Sequence, residues 1–375
     1  MKFWQLLMQS DLAQLLQYHL GFLAFISFVG CLVVLGLARV FPRLRGRSDD
    51  QNAVQSMHSR PTPRVGGAAI FVALGMSVVV APDGIARDYM GAIIATALLF
   101  FVGLAEDMGF GVSPRKRLVA VCIASLIVIV AHGVWLPRIN MPYVDQLMQY
   151  WFIGVPFTLL ITAGVSNGFN LIDGVNGLAG LTAIGAAVSI ALISQQAGLG
   201  TMVSLSMILA AVILGFFVVN FPFGFIFLGD AGAYTIGFVL CWFGIAVLVL
   251  APLVSAWAIL LTLFWPLADT LFAMYRRTRA NKDAMSPDRL HFHQLVMRGL
   301  EICFLGRKRR HIANPLTTVI LAPLVIAPQV VGVMLWNNTG AAFAAVLIFL
   351  AMFFATYVVG VSVVRAYRQR YATQN

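Results

Sequence analysis

Charge is scarce in this 375-residue chain. Only 10% of its residues are charged, with 14 acidic side chains in all, against 60% apolar. A soluble domain usually carries about 25% charged residues. So few charges cannot cover the surface of a water-soluble globule of this size. Disorder is excluded by the same arithmetic, because disordered chains are poor in apolar residues and rich in charge. Cysteine is scarce too. Cys31, Cys122 and Cys241 lie inside apolar runs and Cys303 in a basic connector. No two have the spacing of a metal site, and four such residues make no disulfide framework; they read as small hydrophobes. A cleavable leader is not evident. The first apolar run has its basic cluster (Arg39, Arg43, Arg45, Arg47) after it, whereas a signal peptide carries positive charge before it.

What is present is apolar sequence in long runs. A helix needs about 20 mostly apolar residues to cross a bilayer. Eleven runs qualify, at roughly 20–38, 66–82, 90–106, 117–133, 150–166, 177–194, 202–219, 232–250, 254–274, 314–335 and 341–363. The fold class is therefore all-α, a polytopic bundle of about eleven transmembrane helices. It forms a single integral membrane domain over 1–375, with a substrate loop at 276–313 between the ninth and tenth helices.

The net charge of +11 does not indicate a nucleic-acid partner, because the basic residues sit in short connectors. Of 25 Lys and Arg, 22 fall in 39–64, 107–117, 276–310 and the tail after 364, all on one side of an eleven-span chain. Lys2, Arg87 and Arg138 fall on the other. The basic side is cytoplasmic by the positive-inside rule. The N-terminus is then outside and the C-terminus inside.

The acids are the informative residues. Glu106 and Asp107 close the third run, Asp173 lies between the fifth and sixth, Asp230 begins the eighth, and Asp269 lies inside the ninth. All lie at or near the cytoplasmic edge, with Asn167, Asn170 and Asn176 beside them. Each could cap a helix. Gathered on one face they repel each other unless a cation sits among them. The donors on offer are carboxylate and amide oxygens, which suit Mg²⁺, or Mn²⁺, rather than zinc or copper. Mg²⁺ typically takes one or two protein carboxylates and completes its shell with water and substrate phosphate. A phosphate-bearing substrate approaching from the cytoplasm follows. Arg115-Lys116-Arg117 and Arg289-Leu290-His291-Phe292-His293 supply cations nearby, as a pyrophosphate requires.

Five runs occur in one order: Arg60-x-Thr62-Pro63-Arg64-x-Gly66-Gly67; the acidic pair after Gly103-Leu104; Asn167-x-x-Asn170-x-x-Asp173-Gly-x-x-Gly177-Leu; Phe227-Leu-Gly229-Asp230-x-Gly232; and Asp288-Arg289-Leu290-His291-Phe292-His293. Together, over about residues 58–300, they resemble the polyprenyl-phosphate N-acetylhexosamine-1-phosphate transferases. These enzymes start bacterial cell-wall and O-antigen polymers on a lipid carrier in the inner (cytoplasmic) membrane, working on its cytoplasmic side. Eleven runs resemble the UDP-GlcNAc branch more than the ten-span muramyl-pentapeptide branch.

The resemblance implies that undecaprenyl phosphate attacks the β-phosphorus of a UDP-HexNAc, releasing UMP. It also implies roles. Asp230 is the metal-binding aspartate, with Asn170 beside it. Asp107, paired with Glu106, is a proposed base, and Asp173 stands near metal and nucleotide. Lys116 grips pyrophosphate, with Arg289, His291 and His293 near the phosphates and sugar. Asn176 and Phe227 hold the uracil. Three departures stand out. Many relatives have Asp-Asp where this chain has Glu106-Asp107, Asp where it has Asn176, and a third His where it has Gln294. The partners implied are a UDP-HexNAc, undecaprenyl phosphate and membrane lipid; homodimerisation and the identity of the sugar stay open. An ion-coupled transporter is the rival reading, since carriers also use intramembrane acids and broken helices. It fits less well, because carriers bind near the midplane and these acids crowd one edge.

Overall fold

The computed structural model describes residues 10–44, 62–80, 83–279 and 290–372. Among them every regular element is helical. In chain order these are α1 (Ser10–Val40), α2 (Gly66–Val80), α3 (Asp83–Asp107), α4 (Pro114–His132), the short α5 (Val144–Met148), α6 (Trp151–Ile172), α7 (Leu178–Gln196) and α8 (Gly200–Asn220). They continue with α9 (Gly229–Leu250), α10 (Ala256–Thr262), α11 (Phe264–Arg279), α12 (Phe292–Leu300), α13 (Arg310–Met334) and α14 (Thr339–Ala372). Seven are long and apolar enough to cross a membrane, or eight with α10 and α11 taken as one broken span. The second apolar run falls on α2, which is shorter, and the fourth on α4, whose first turn holds Arg115, Lys116 and Arg117. The chain is thus a multi-pass membrane helix bundle.

The ninth run departs from expectation. It reads as one helix over 254–274 but breaks at Leu263, where α10 and α11 meet at 83°. Proline explains the break. Pro266 has no amide hydrogen to give, and in a continuous helix its ring would meet the carbonyl of Thr262. In the first turn of α11 it costs nothing.

Helix α9 is the axis of the bundle. Its apolar window is 83% buried inside the protein, against 17% for α1 at the periphery. Close approach to α9 depends on residues without side chains. A Cβ on Gly103 of α3 would lie 2.5 Å from Ala231 Cα, and one on Gly237 would lie 2.7 Å from Ser166 Cα of α6. A Cβ on Gly67 of α2 would collide with the Gly232 backbone. Without water to drive apolar surfaces together, membrane helices associate through such small-residue contacts. Polar contacts add to them: Ser125 Oγ and Thr162 Oγ1 share a hydrogen bond of 2.8 Å between α4 and α6.

The two ends of α9 are finished differently. At its C-terminal end Arg138 donates to the carbonyls of Leu248 (2.6 Å), Ala251 (3.0 Å) and Val254 (2.8 Å). A cation suits that end, where helix carbonyls lack amide partners. Its N-terminal end is met by carboxylates. Of the four cysteines, Cys31 and Cys241 are buried and all are free.

Candidate functional site

The site is assembled around the first turn of α9. The strand-like stretch before α2 fixes it from one side. Phe227 N–H donates to Pro63 O at 2.8 Å, Gly66 N–H to Phe227 O at 2.9 Å, and Gly67 N–H to Leu228 O at 2.9 Å. Two of the five sequence runs are therefore hydrogen-bonded to one another. Gly229 has φ +73°, a conformation that glycine adopts without strain. A Cβ there would also come within 2.7 Å of Asp107 Oδ2.

Asp107, the last residue of α3, spends both carboxylate oxygens on α9. Oδ1 accepts the Asp230 N–H and Oδ2 the Ala231 N–H, each at 2.9 Å. Asp173, just past the end of α6, accepts the Gly229 N–H through Oδ2 at 3.3 Å. These are orphan amides of a helix start, and anions are favoured there. Burial pushes the Asp173 carboxyl up to about 7, against the pull of Arg64 and the Gly229 N–H.

Asp230 is buried inside this ring. Its Oδ1 accepts from Asn170 Nδ2 at 2.8 Å. Arg117 forms an ion pair with its Oδ2, and Arg64 lies 3.9 Å from its Oδ1. The Arg117 guanidinium also lies 5.6 Å from the centre of the Tyr234 ring, whose hydroxyl donates to Asn167 Oδ1 at 3.1 Å. Glu106 faces a different task. Its carboxylate accepts the Val112 N–H and closes the turn before α4.

The histidines approach from the loop after α11. His291 Nδ1 lies 2.8 Å from Asp269 Oδ2, and Asp269 Oδ1 accepts the Phe292 N–H at 3.1 Å. Both imidazoles are buried, with centroids 5.9 Å apart. His293 packs directly over Gly174, beside Asp173, where any Cβ would strike the ring. Burial pushes His293 down to about 4, so it is neutral at pH 7.

Asn176, in the turn between α6 and α7, holds the loop over residues 221–228 that carries Phe227. Asn176 Nδ2 donates to Pro222 O at 2.8 Å, and Gly224, at φ +65°, leaves room for the amide. Asn220 secures the same loop, its Oδ1 accepting from Gly177 N–H at 2.6 Å and its Nδ2 donating to Ile226 O at 2.7 Å.

The structure thus brings together Asp107, Asp173, Asp230 and Asn170, with His291 and His293 on the Asp173 side and Asn176, in the turn between α6 and α7, bonded to the loop that leads to Phe227. Lys116 is exposed, and its backbone N–H is bonded to Ser113 Oγ at 3.4 Å at the start of α4. Arg289 lies outside the described residues. Sequence reasoning named three further contributors without giving them a role. Arg64 and Arg117 pair with Asp230, and Asp269 orients His291. The arginines stand within runs already singled out, but only the fold tells Arg117 from its neighbour Lys116.

The oxygen donors suit a hard divalent cation. Among the described residues no three His, Cys, Asp or Glu side chains group to hold a metal by themselves. Mg²⁺ does not require that, since water and phosphate oxygens complete its shell.

A family model for glycosyl transferase family 4 matches residues 89–248, from the first third of α3 to near the end of α9. A Bacillus subtilis protein described as a probable undecaprenyl-phosphate N-acetylglucosaminyl 1-phosphate transferase is 32% identical over 257 residues, 66% of this chain and 69% of the relative. The chain belongs to the polyprenyl-phosphate N-acetylhexosamine-1-phosphate transferases. Further members of this transferase family extend the likeness. A Mycolicibacterium smegmatis decaprenyl-phosphate N-acetylglucosaminephosphotransferase is 27% identical over 278 residues, 65% of this chain and 67% of its own. The Escherichia coli undecaprenyl-phosphate alpha-N-acetylglucosaminyl 1-phosphate transferase is 25% identical over 284 residues, 72% of this chain and 74% of its own.

The placement of Asp107 in this transferase yields a prediction. A carboxylate that accepts two backbone amides acts as a cap for α9. Asn offers one acceptor oxygen and turns an N–H₂ toward the second amide. Asp107→Asn should therefore lower the unfolding free energy by about 1–3 kcal/mol, the cost of one buried amide left unpaired. The pH profile of the activity it retains should be unchanged. Loss of an ionisation from that profile, with stability intact, would assign Asp107 as the base instead.

Proposed function

We propose that the chain transfers a HexNAc-1-phosphate, GlcNAc-1-phosphate in the first instance, from a UDP-sugar to undecaprenyl phosphate. The carrier phosphate oxygen attacks the β-phosphorus, the bond to the UMP oxygen breaks, and a lipid-pyrophosphate-sugar and UMP result. The observation that carries this reading is a buried carboxylate, Asp230, at a helix start between two arginines. That is an arrangement suited to phosphate groups and their counter-ion.

The nucleophile needs little activation. A phosphate monoester has a second pKa of about 6 and is largely a dianion at neutral pH. The obstacle is the meeting of two anions. Arg117 and Arg64 would bear on the pyrophosphate from the Asp230 side, with Lys116 reaching in from the start of α4. Asp107 holds the α9 amides in place. His291, fixed by Asp269, and neutral His293 would meet the phosphate and sugar, and Asn176 with Phe227 the uracil. Asp230 and the Asn170 amide would hold Mg²⁺, or Mn²⁺, which would offset charge on the phosphate oxygens when bound.

The same reading places eleven spans in a bacterial inner membrane, with the N-terminus outside, the C-terminus in the cytoplasm and the carboxylates at the cytoplasmic face. It is supported by the bias of 22 of 25 basic residues to one side and by the positive-inside rule. The test is UMP release by purified protein with undecaprenyl phosphate, Mg²⁺ and a panel of UDP-HexNAc sugars. UMP should appear only when carrier and a UDP-HexNAc are both present. Absence of release with every sugar would contradict the proposal.

A further inference from the structure

A basic cavity lies at the same end of the bundle as the aspartates but apart from them. It has a volume of about 320 Å³ and sits between the end of α11, the helix α12 and the C-terminal half of α14. Arg276, Arg298 and Arg365 line it together with Leu290, Leu295 and Val361, and no lining residue is acidic. We propose that this cavity binds the phosphate of an anionic membrane phospholipid.

Three observations lead there. The first is the charge: arginine forks match phosphate oxygens, and three line one cavity. The second is that one of them is set in place. Arg276 Nη1 donates to the Tyr357 hydroxyl at 3.1 Å, and its guanidinium lies 5.3 Å from the Phe272 ring centre and 5.7 Å from that of Tyr357. The third is the lining itself. A soluble anion needs no wall of leucine and valine, whereas an acyl chain does. Basic pockets between helices at the cytoplasmic end of a membrane protein are where anionic head groups bind.

The cavity also touches the histidine element. Tyr357 OH donates to Leu290 O at 3.2 Å, one residue before His291, and α12 carries His293 in its first turn and Arg298 in its last. A bound lipid would therefore steady the segment that presents both histidines.

The experiment measures binding directly, so its outcome is independent of the transferase reading. The full chain in detergent is given phosphatidylglycerol or phosphatidylcholine of matched acyl chains, and retained lipid is counted by native mass spectrometry. The intact protein should retain phosphatidylglycerol preferentially. Arg298→Gln and Arg365→Gln should each weaken that preference about fivefold, the scale of one basic side chain at an anionic lipid. The Arg298→Lys/Arg365→Lys variant, which keeps the charge, should keep most of it. If Arg298→Gln does not fold, Arg365→Gln on the exposed side of α14 is read alone. Equal retention of the two lipids, or a preference that survives Arg365→Gln, would overturn the proposal. Two further arms separate other sources of phosphate. Displacement of phosphatidylglycerol by inorganic phosphate would make the cavity a soluble-anion site and overturn the lipid assignment. Loss of undecaprenyl-phosphate binding, with phosphatidylglycerol retained, would make it part of the carrier site and overturn it equally.

Discussion

Asp230→Asn is expected to lower transfer by about 10²–10³-fold, the scale on which single electrostatic groups act at a transition state. The side chain keeps its size, so the packing of α9 is not disturbed. What goes is the anion. Asn170 then faces a neutral amide, and Arg117, whose side chain is only 14% exposed, loses its counter-charge. Removing one member of a buried ion pair costs about 3 kcal/mol or more, so the unfolding midpoint should fall as well. The two effects separate in the double variant. Asp230→Asn/Arg117→Gln removes the stranded cation and should regain much of the stability, but none of the rate. If the double variant recovered activity, Asp230 would matter only as a partner for Arg117, and its catalytic placement would be wrong.

Gly103→Val is the second large effect, and it acts through shape alone. The α3 backbone meets α9 at Ala231, the residue after Asp230. An added Cβ lies 2.5 Å from both Ala231 N and Cα, and 2.8 Å from Asp230 C. Backbone on the far side cannot yield as a flexible side chain would. Valine must therefore drive the two helices apart, at a cost of about 3 kcal/mol or more, the upper range for overpacking a dense core. The separation would stretch both Asp107 hydrogen bonds to the start of α9. Loss of activity should accompany loss of stability, in contrast to Asp107→Asn. Thermal unfolding in detergent, compared with Gly75→Val, is the check. Nothing lies within 4 Å of a Cβ added at Gly75, so that change should be tolerated. Equal midpoints for the two variants would refute the close-approach argument.

Much of this architecture was legible in the sequence because membrane helices must be long and apolar. Among the described residues the eleven apolar runs are almost wholly helical, the ninth broken at Leu263, and the order of the acids already placed Asp107, Asp173 and Asp230 at helix ends. The break at Leu263 was not read, although Pro266 carries the physical signal for it. The contacts that make the site were beyond local pattern. Asp107 meets residues more than a hundred positions away, and whether it serves as base or cap depends on which amides it faces. Likewise the triplet Arg115-Lys116-Arg117 offers three equivalent cations on paper. The helical turn of α4 then directs Arg117 inward to Asp230 and leaves Lys116 exposed. Asp269 shows the same limit: nothing beside it in the sequence marks its partner His291, which stands 22 residues on.

The central claim is that oxygen donors around Asp230 act with a divalent ion on a sugar pyrophosphate. It is tested most directly by stripping the purified protein of metal and titrating Mg²⁺ back in the presence of UDP-GlcNAc and undecaprenyl phosphate. Lipid-linked sugar should be absent without the ion and should rise to saturation as Mg²⁺ is restored. The Asp230→Asn protein should need far more Mg²⁺ and should never reach the same rate. Full transfer by the stripped protein, or the same Mg²⁺ dependence with and without Asp230, would contradict the account.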